Sequence, residues 1–176
     1  MHFVEDSTTF AKPTMNPNTY NNARDYAVHK HAAQRYGDQP YVVHLAAVRE
    51  VLRWAGFDDA HPLAIAAWLH DTIEDTDATR DDVAERFGTE VAELVWAVTG
   101  IGKNRKERNE NAYQKIRACP DAAILKLADR ISNVEASANV PDKLAMYRKE
   151  WPAFQEALAG LGTPILWARL KKALGE

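Results

Sequence analysis

The sequence predicts an all-α protein of about seven to nine helices. From Asn22 onward, apolar residues recur at the three- and four-residue spacing of one helix face. Gly and Pro fall between these stretches, where helices end and begin. No run alternates apolar and polar residues as a half-buried strand does. With 176 residues, of which 46% are hydrophobic and 27% charged, the composition is typical of one globular domain.

The N-terminal part divides into an arm and two helices. Residues 1–21 mix Thr, Asn, Pro and Ser without a period, which predicts a flexible arm ahead of a single domain over residues 22–176. A first helix is predicted within residues 22–36, followed by a turn at 37–40. We expect Pro40 to open the second helix, which ends at Gly56.

The stretch HPLAIAAWLH, residues 61–70, is apolar on nearly every face, and this predicts a buried central helix. The later helices are predicted from their start and stop residues. These are the capping box Thr79–Asp82, then Gly88, Thr89, Pro120 and the break at 160–164. Between them, residues 102–116 form the most polar and basic stretch of the chain.

Charge and cysteine content exclude several classes of protein. The chain has 22 Lys and Arg against 25 Asp and Glu, a net charge of −3, which argues against a nucleic-acid partner. Cys119 is the single cysteine, so an internal disulfide and a cysteine metal cluster are excluded. No apolar run resembles a signal sequence or a membrane span. We expect a soluble cytoplasmic protein, whose oligomeric state the sequence leaves open.

Four ionisable residues fall within the six positions of His70-Asp71-Thr72-Ile73-Glu74-Asp75. One interpretation is that the apolar helix simply reaches solvent at its C-terminal end. Against it, carboxylates are unfavourable at that end because the helix dipole is negative there. A divalent metal ion would compensate for three such carboxylates.

Two further polar residues stand in apolar helix faces. His44 lies in the second helix, and Asp129 lies in the stretch KLADR. A lone histidine of this kind is usually a hydrogen-bonded core residue, and the aspartate could pair with Lys126 or Arg130. Together with His70 and Asp71, however, they form a set of two imidazoles and two carboxylates. That set suits Mn²⁺, Fe²⁺ or Zn²⁺ better than Ca²⁺ or Mg²⁺.

Three motifs give the chain a family resemblance. The segments YGDQPYVVH (36–44), AWLHDTIEDT (67–76) and KLADRISN (126–133) resemble the hydrolase domain of RelA/SpoT-type proteins, which are HD-domain metal phosphohydrolases. The similarity covers residues 23–150. The sequence ends where long members continue into a synthetase domain, so it resembles the stand-alone small alarmone hydrolases.

The resemblance implies an HD-domain helical bundle that removes the 3′-diphosphate from (p)ppGpp, giving GDP or GTP and pyrophosphate. It implies Mn²⁺, or another divalent transition metal, bound by His44, His70, Asp71 and Asp129. Glu74 and Asp75 match the acidic pair that orients and activates the attacking water. Asn133 and Tyr147 match positions that line the nucleotide pocket.

The sequence departs from the family between the first helix and the PY motif. Many members carry an Arg-Lys pair there, whereas this chain has Arg35 and Tyr36 with no lysine after them. We expect Arg35 to replace one member of the pair and Tyr36 to stack on a base. Lys103 and Arg105 are further candidates for phosphate binding, with a solvated helix face as the equal alternative.

Three alternative functions stay open at this point. The substrate could be an adenosine analogue such as ppApp, or the 2′-phosphate of NADPH. The chain could also be a nucleotide-sensing module without turnover, although the intact pair of Glu74 and Asp75 argues against that.

Overall fold

The computed structural model describes residues 17–176. Residues 1–16 of the predicted arm lie outside the described residues. Helix α1 (Pro17–Lys30) begins inside the predicted arm, five residues before the expected start at Asn22. Tyr20, in its first turns, packs edge-on against Trp68 at 6.1 Å between ring centroids. This aromatic contact ties the start of α1 to the rest of the domain.

A two-stranded hairpin follows α1 and precedes helix α2 (Val42–Trp54). Strands β1 (Arg35–Tyr36) and β2 (Gln39–Pro40) pair antiparallel, with Arg35 opposite Pro40. Gly37 makes the tight connection with a φ of 63°. Pro40 therefore ends the hairpin and does not open the helix, which corrects the expectation from the sequence.

The remaining elements are helical. They are α3 (Pro62–Leu69), α4 (Thr72–Asp75), α5 (Arg80–Phe87), α6 (Thr89–Val98), α7 (Arg105–Ala118), α8 (Ala122–Ala136), α9 (Pro141–Ala157) and α10 (Pro164–Leu174). Over residues 17–176 there are nine helices of eight or more residues and the single turn of α4. The all-α prediction is confirmed. Of the helices described, none is both long enough and apolar enough to cross a membrane.

Helix α3 is the centre of the fold, as its all-round apolar sequence predicts. All eight of its residues are buried, and it packs against α1, α2, α6 and α8. Burial of a Leu or Ile side chain contributes about 1.5–3 kcal/mol, so Leu63, Ile65 and Leu69 anchor the core. The end of α3 is therefore held firmly in the middle of the domain.

The helix does not continue through the acidic motif. It ends at Leu69, with His70 as its C-cap, and the chain restarts at Asp71 as the short helix α4. Glu74 and Asp75 consequently lie in a new helical turn instead of on the C-terminal end of α3. Glu74 and Asp75 are also the last two residues of α4, so the break does not by itself remove the unfavourable placement of carboxylates at a helix C-terminus.

Candidate active site

Two imidazole rings meet in the interior where α2 approaches the end of α3. His44 comes from the first turn of α2, and His70 follows the last residue of α3. Each is 2% exposed. Their Nε2 atoms lie 3.3 Å apart. Both rings therefore present the same atom to one point.

Neighbouring groups fix the orientation of these rings. The Nδ1 of His70 lies 2.8 Å from the carbonyl oxygen of Ala67. Because a carbonyl can only accept, Nδ1 carries the proton and Nε2 keeps its lone pair. The Nδ1 of His44 faces the hydroxyl of Ser132 at 3.4 Å. Such contacts are typical of histidines that bind a metal through the other nitrogen.

Two carboxylates complete the cluster. Oδ2 of Asp71 lies 2.9 Å from Nε2 of His70 and 3.5 Å from Nε2 of His44. Oδ1 of Asp129, from α8, lies 3.4 and 3.8 Å from the Nε2 atoms of His44 and His70. The hydroxyl of Tyr41 donates a 2.6 Å hydrogen bond to Oδ2 of Asp71 and holds that side chain in place.

These distances fit one divalent transition-metal ion. Ligand atoms of His44, His70 and Asp129 all lie within 4.8 Å of one another, and Asp71 adjoins both imidazoles. Bonds of about 2.0–2.2 Å to one ion place neighbouring ligand atoms roughly 3.0–3.5 Å apart. The observed separations are close to this range. The set of two nitrogens and two oxygens is the one that the sequence predicts.

The electrostatics of the cluster favour a positive charge at its centre. Burial lowers the pKa of His44, but Asp129 and Asp71 outweigh burial and raise that pKa to about 9. Burial raises the pKa of Asp129, but Lys126 and the imidazoles hold it well below its usual range. A proton or a divalent cation can supply the favoured charge, so the two compete for the same site.

Glu74 and Asp75 extend from α4 into the cavity beside this cluster. Oε2 of Glu74 accepts a 2.5 Å hydrogen bond from the backbone N–H of Gly100. Its side chain is 29% exposed, and this partial burial raises the pKa of Glu74. Oδ2 of Asp75 accepts a 2.8 Å hydrogen bond from Nε2 of Gln34. Both carboxylates are therefore held next to the metal-binding candidates without belonging to them.

The cavity has a volume of about 220 Å³ and a strongly charged lining. Its acidic residues are Asp71, Glu74, Asp75 and Asp129, and its basic residues are Arg105, Arg108, Lys126 and Arg130.

Several of the basic side chains are anchored by carboxylates. Lys126 lies 2.9 Å from Asp129. Arg105 and Arg130 bind the same side chain, Glu150, at 2.6 and 2.7 Å. Arg108 approaches Glu74 at 3.7 Å. The cations are thus oriented beforehand around the cavity.

The residues predicted to bind substrate divide into two groups. Asn133 and Tyr147 line the cavity, whereas Tyr36 is not among the lining residues and contacts two that are, His44 and Asn133. Tyr36 stacks on His44 at 4.9 Å between centroids and donates a 2.9 Å hydrogen bond to Oδ1 of Asn133. Burial raises the pKa of Tyr36 to about 12. One face of its ring is therefore already used by the imidazole.

Arg35 and Lys103 are not among the residues that line the cavity. Arg35 is exposed, and its Nη2 donates a 2.7 Å hydrogen bond to the carbonyl of Asp38 within the hairpin. Lys103 is exposed just before α7. Their contact with substrate stays a prediction.

From the sequence, Lys126 and Arg130 are considered only as partners of Asp129, and Arg108 only as part of the basic run 103–108. The structure adds that all three line the cavity. The residues that flank Asp129 in KLADR were the available signal, since they lie one position after and three before a buried carboxylate. Arg105, weighed as a phosphate ligand, does line the cavity.

Comparison with known proteins agrees with this fold. Residues 23–153 match the model of the HD domain family. The chain therefore belongs to the HD domain family. The resemblance to RelA/SpoT-type proteins is confirmed by the relatives and by a solved structure.

Two curated relatives match over 119 residues. One is a guanosine-3′,5′-bis(diphosphate) 3′-pyrophosphohydrolase of Aquifex aeolicus, at 44% identity over 64% of this chain and 17% of the relative. The other is the mouse enzyme of that name, MESH1, at 40% identity over 64% of this chain and 65% of the relative. The match thus spans a small part of the first relative and just under two thirds of the second.

Solved structures show the same architecture. A metazoan ortholog of SpoT, described as hydrolysing ppGpp, superimposes with a TM-score of 0.75 at 26% identity over 94% of this chain and 97% of the other. A Listeria monocytogenes protein superimposes with a TM-score of 0.59 at 22% identity over 76% of this chain and 99% of the other, which shows the fold alone.

Proposed function

We propose that the protein is a metal-dependent hydrolase that removes the 3′-diphosphate from (p)ppGpp-type alarmones, releasing pyrophosphate and GDP or GTP. The observation that carries the proposal is the cavity itself. Four metal-binding candidates, an acidic pair and four cations adjoin one another there. The activities named for the relatives in Aquifex and mouse support the same reaction.

His44, His70, Asp71 and Asp129 would hold one divalent ion, for which we propose Mn²⁺. Their two nitrogens and two oxygens suit Mn²⁺, and Fe²⁺ or Zn²⁺ are the alternatives. When bound, such an ion lowers the pKa of a water molecule and offsets charge on a phosphoryl oxygen.

Glu74 and Asp75 act on the attacking water in this proposal. Glu74 accepts the water proton, because its raised pKa makes it a better base than an ordinary exposed glutamate. Asp75 orients the water. The water oxygen bonds to the phosphorus next to the ribose, and the bond from that phosphorus to O3′ breaks. O3′ then takes a proton and leaves as the free hydroxyl.

The cations of the cavity bind the substrate phosphates. The lining carries four basic and four acidic side chains, so a bound divalent ion leaves an excess of positive charge. Arg105 and Arg108, both from α7, line the cavity. A guanidinium can bind a phosphate group through two parallel hydrogen bonds. Arg108, 3.7 Å from Glu74, is freer to do so than Arg105, whose Nε and Nη2 already donate to Glu150. Arg35 and Lys103 lie outside the lining and would contact only outlying parts of the nucleotide.

Asn133 and Tyr147 would contact the nucleoside end of the substrate. Asn133 is tied to the metal-binding cluster by a 2.6 Å hydrogen bond from its Nδ2 to Oδ1 of Asp129. Tyr36 bonds Asn133 in turn. The base is thus expected near Tyr36 and Asn133, one side chain away from the metal. Because such a substrate is a small soluble nucleotide, we propose a cytoplasmic location for the enzyme.

A hydrolysis assay over a nucleotide panel tests the proposal. Purified protein with Mn²⁺ is incubated with ppGpp, pppGpp, ppApp and NADPH, and the products are separated by chromatography. Release of pyrophosphate from the guanosine substrates is the expected result. Orthophosphate from NADPH would identify a 2′-phosphatase instead. Absence of turnover on all four, with Mn²⁺ bound, would indicate a nucleotide-sensing module.

A further inference from the structure

We propose that Gln34 and His31 form a positioning pair that aims the carboxylate of Asp75 at the reacting water. The inference rests on the proposed function, since it assigns two further residues to the same reaction. Neither residue lines the cavity, so both act through the side chains that they contact.

Asp75 needs such a tether. It is exposed, on a helix of only four residues, so packing does little to fix its side chain. The amide Nε2 of Gln34 donates to Oδ2 of Asp75 at 2.8 Å, from a residue 41 positions earlier in the chain. This hydrogen bond joins the segment after α1 to the acidic motif.

His31 fixes the direction of the Gln34 amide. Its Nδ1 lies 2.6 Å from Oε1 of Gln34. Since Nε2 of the amide points at a carboxylate, Oε1 must accept, and Nδ1 of His31 carries the proton. His31 is 3% exposed, so its ring is held by packing. Its other nitrogen, Nε2, is buried with no hydrogen-bond partner among the described residues, so His31 acts on Gln34 through Nδ1.

The same imidazole also supports the metal-binding cluster. It stacks on the ring of Tyr41 at 4.7 Å, with 23° between the planes. The Tyr41 hydroxyl donates to Asp71. His31 therefore contacts Gln34, which binds Asp75, and also Tyr41, which binds Asp71. Because His31 contacts both side chains, it keeps the position of Asp75 fixed relative to the metal-binding residues.

Loss of the amide donor should reduce turnover without weakening metal binding. Misplacement of a reacting group by about 1 Å can cost on the order of 10²-fold in rate. We expect Gln34→Ala to lower kcat by roughly 10- to 100-fold, with KM, Mn²⁺ affinity and Tm close to wild type. Gln34→Glu can still accept from His31 but cannot donate to Asp75, so it should lower kcat at least as far.

Gln39 provides the matched control. It is the same residue type, five positions later in the hairpin that follows Gln34, and it is exposed opposite Tyr36. Gln39→Ala should leave kcat unchanged. Because His31 acts on Asp75 through Gln34, His31→Leu should lower kcat by a smaller factor in the Gln34→Ala background than in the wild type.

The experiment measures kcat, KM, Mn²⁺ affinity and Tm for these variants, together with crystal structures of wild type and Gln34→Ala. The expected result is a fall in kcat alone, with the Asp75 carboxylate turned from its wild-type direction. Wild-type kcat in Gln34→Ala, a parallel loss of Mn²⁺, or multiplied effects in the double variant would each overturn the inference. A wild type without turnover would instead refute the proposed function, and the inference would then fall if Asp75 keeps its direction in Gln34→Ala.

Discussion

Replacing Glu74 by Gln separates metal binding from chemistry. The substitution keeps the shape of the side chain, and the amide oxygen can still accept from the N–H of Gly100. What it removes is the ability to take a proton. Gly100 itself lies close against α7, because a Cβ there would come within 2.8 Å of the Cβ of Arg108. The partner of Glu74 is therefore held in place in the variant as well.

The size of the effect follows from the role. Removal of a general base lowers the rate by about 10²–10⁴-fold, or roughly 2.7–5.4 kcal/mol at 1.36 kcal/mol per factor of ten. Mn²⁺ affinity should change little, because Glu74 is not one of the four candidate metal ligands. Loss of one partly exposed charge near the ion costs at most about 1 kcal/mol, or roughly fivefold in affinity.

Steady-state kinetics with ppGpp, combined with titration calorimetry of Mn²⁺, checks this expectation. Glu85→Gln on α5 is the control, since Glu85 is also a glutamate and is exposed outside the cavity. A Glu74→Gln enzyme with wild-type kcat would refute the assignment of Glu74 as the base. Loss of Mn²⁺ in step with kcat would move Glu74 into the metal-binding set.

Four further predictions concern the same cavity. Asp129→Ala should weaken Mn²⁺ binding by at least about tenfold, and full metal content by elemental analysis would contradict the ligand set. The pKa of His44 is about 9, so a proton must leave this imidazole when the ion binds. Mn²⁺ affinity should therefore rise with pH from about 6.5 towards 9. An affinity that calorimetry shows to be independent of pH would argue against displacement of this proton by the ion. Arg105→Ala should raise KM several-fold, Lys103→Ala should raise it less, and the wild type should lose affinity for substrate as salt rises; KM values equal to wild type in both variants would exclude Arg105 and Lys103 from phosphate binding. Since Tyr36 already stacks on His44, base selectivity should be relaxed, with kcat/KM for ppApp within about tenfold of ppGpp, or ~1.4 kcal/mol; a preference above a thousandfold would show that another group reads the base.

The helix periods and end signals of the sequence predict most of the fold. The buried α3, the Thr79 capping box and the turn at 160–164 all occur where expected. Spacing alone cannot show that a helix stops and restarts, as it does at His70 and Asp71. Nor does it show that Pro40 belongs to a hairpin, because strands of two residues are too short to produce an alternating pattern in the sequence.

The site, too, could be predicted from the sequence only in part. His44, His70, Asp71 and Asp129 stand out because each is a polar residue in or directly after an apolar helix, and the family motifs single them out as well. The cations do not stand out. Whether Arg108 faces solvent or the cavity depends on how α7 packs over α4, a contact between distant parts of the chain that local periodicity does not encode.

The destination of the solvent oxygen tests the proposed reaction most directly. Wild-type enzyme with Mn²⁺ is incubated with ppGpp in ¹⁸O-labelled water, and both products are analysed by mass spectrometry. Attack on phosphorus predicts one ¹⁸O atom in each pyrophosphate and none in GDP, with formation of both products strongly reduced in Glu74→Gln. Label in GDP, orthophosphate as the phosphorus product, or undiminished turnover in Glu74→Gln would contradict it.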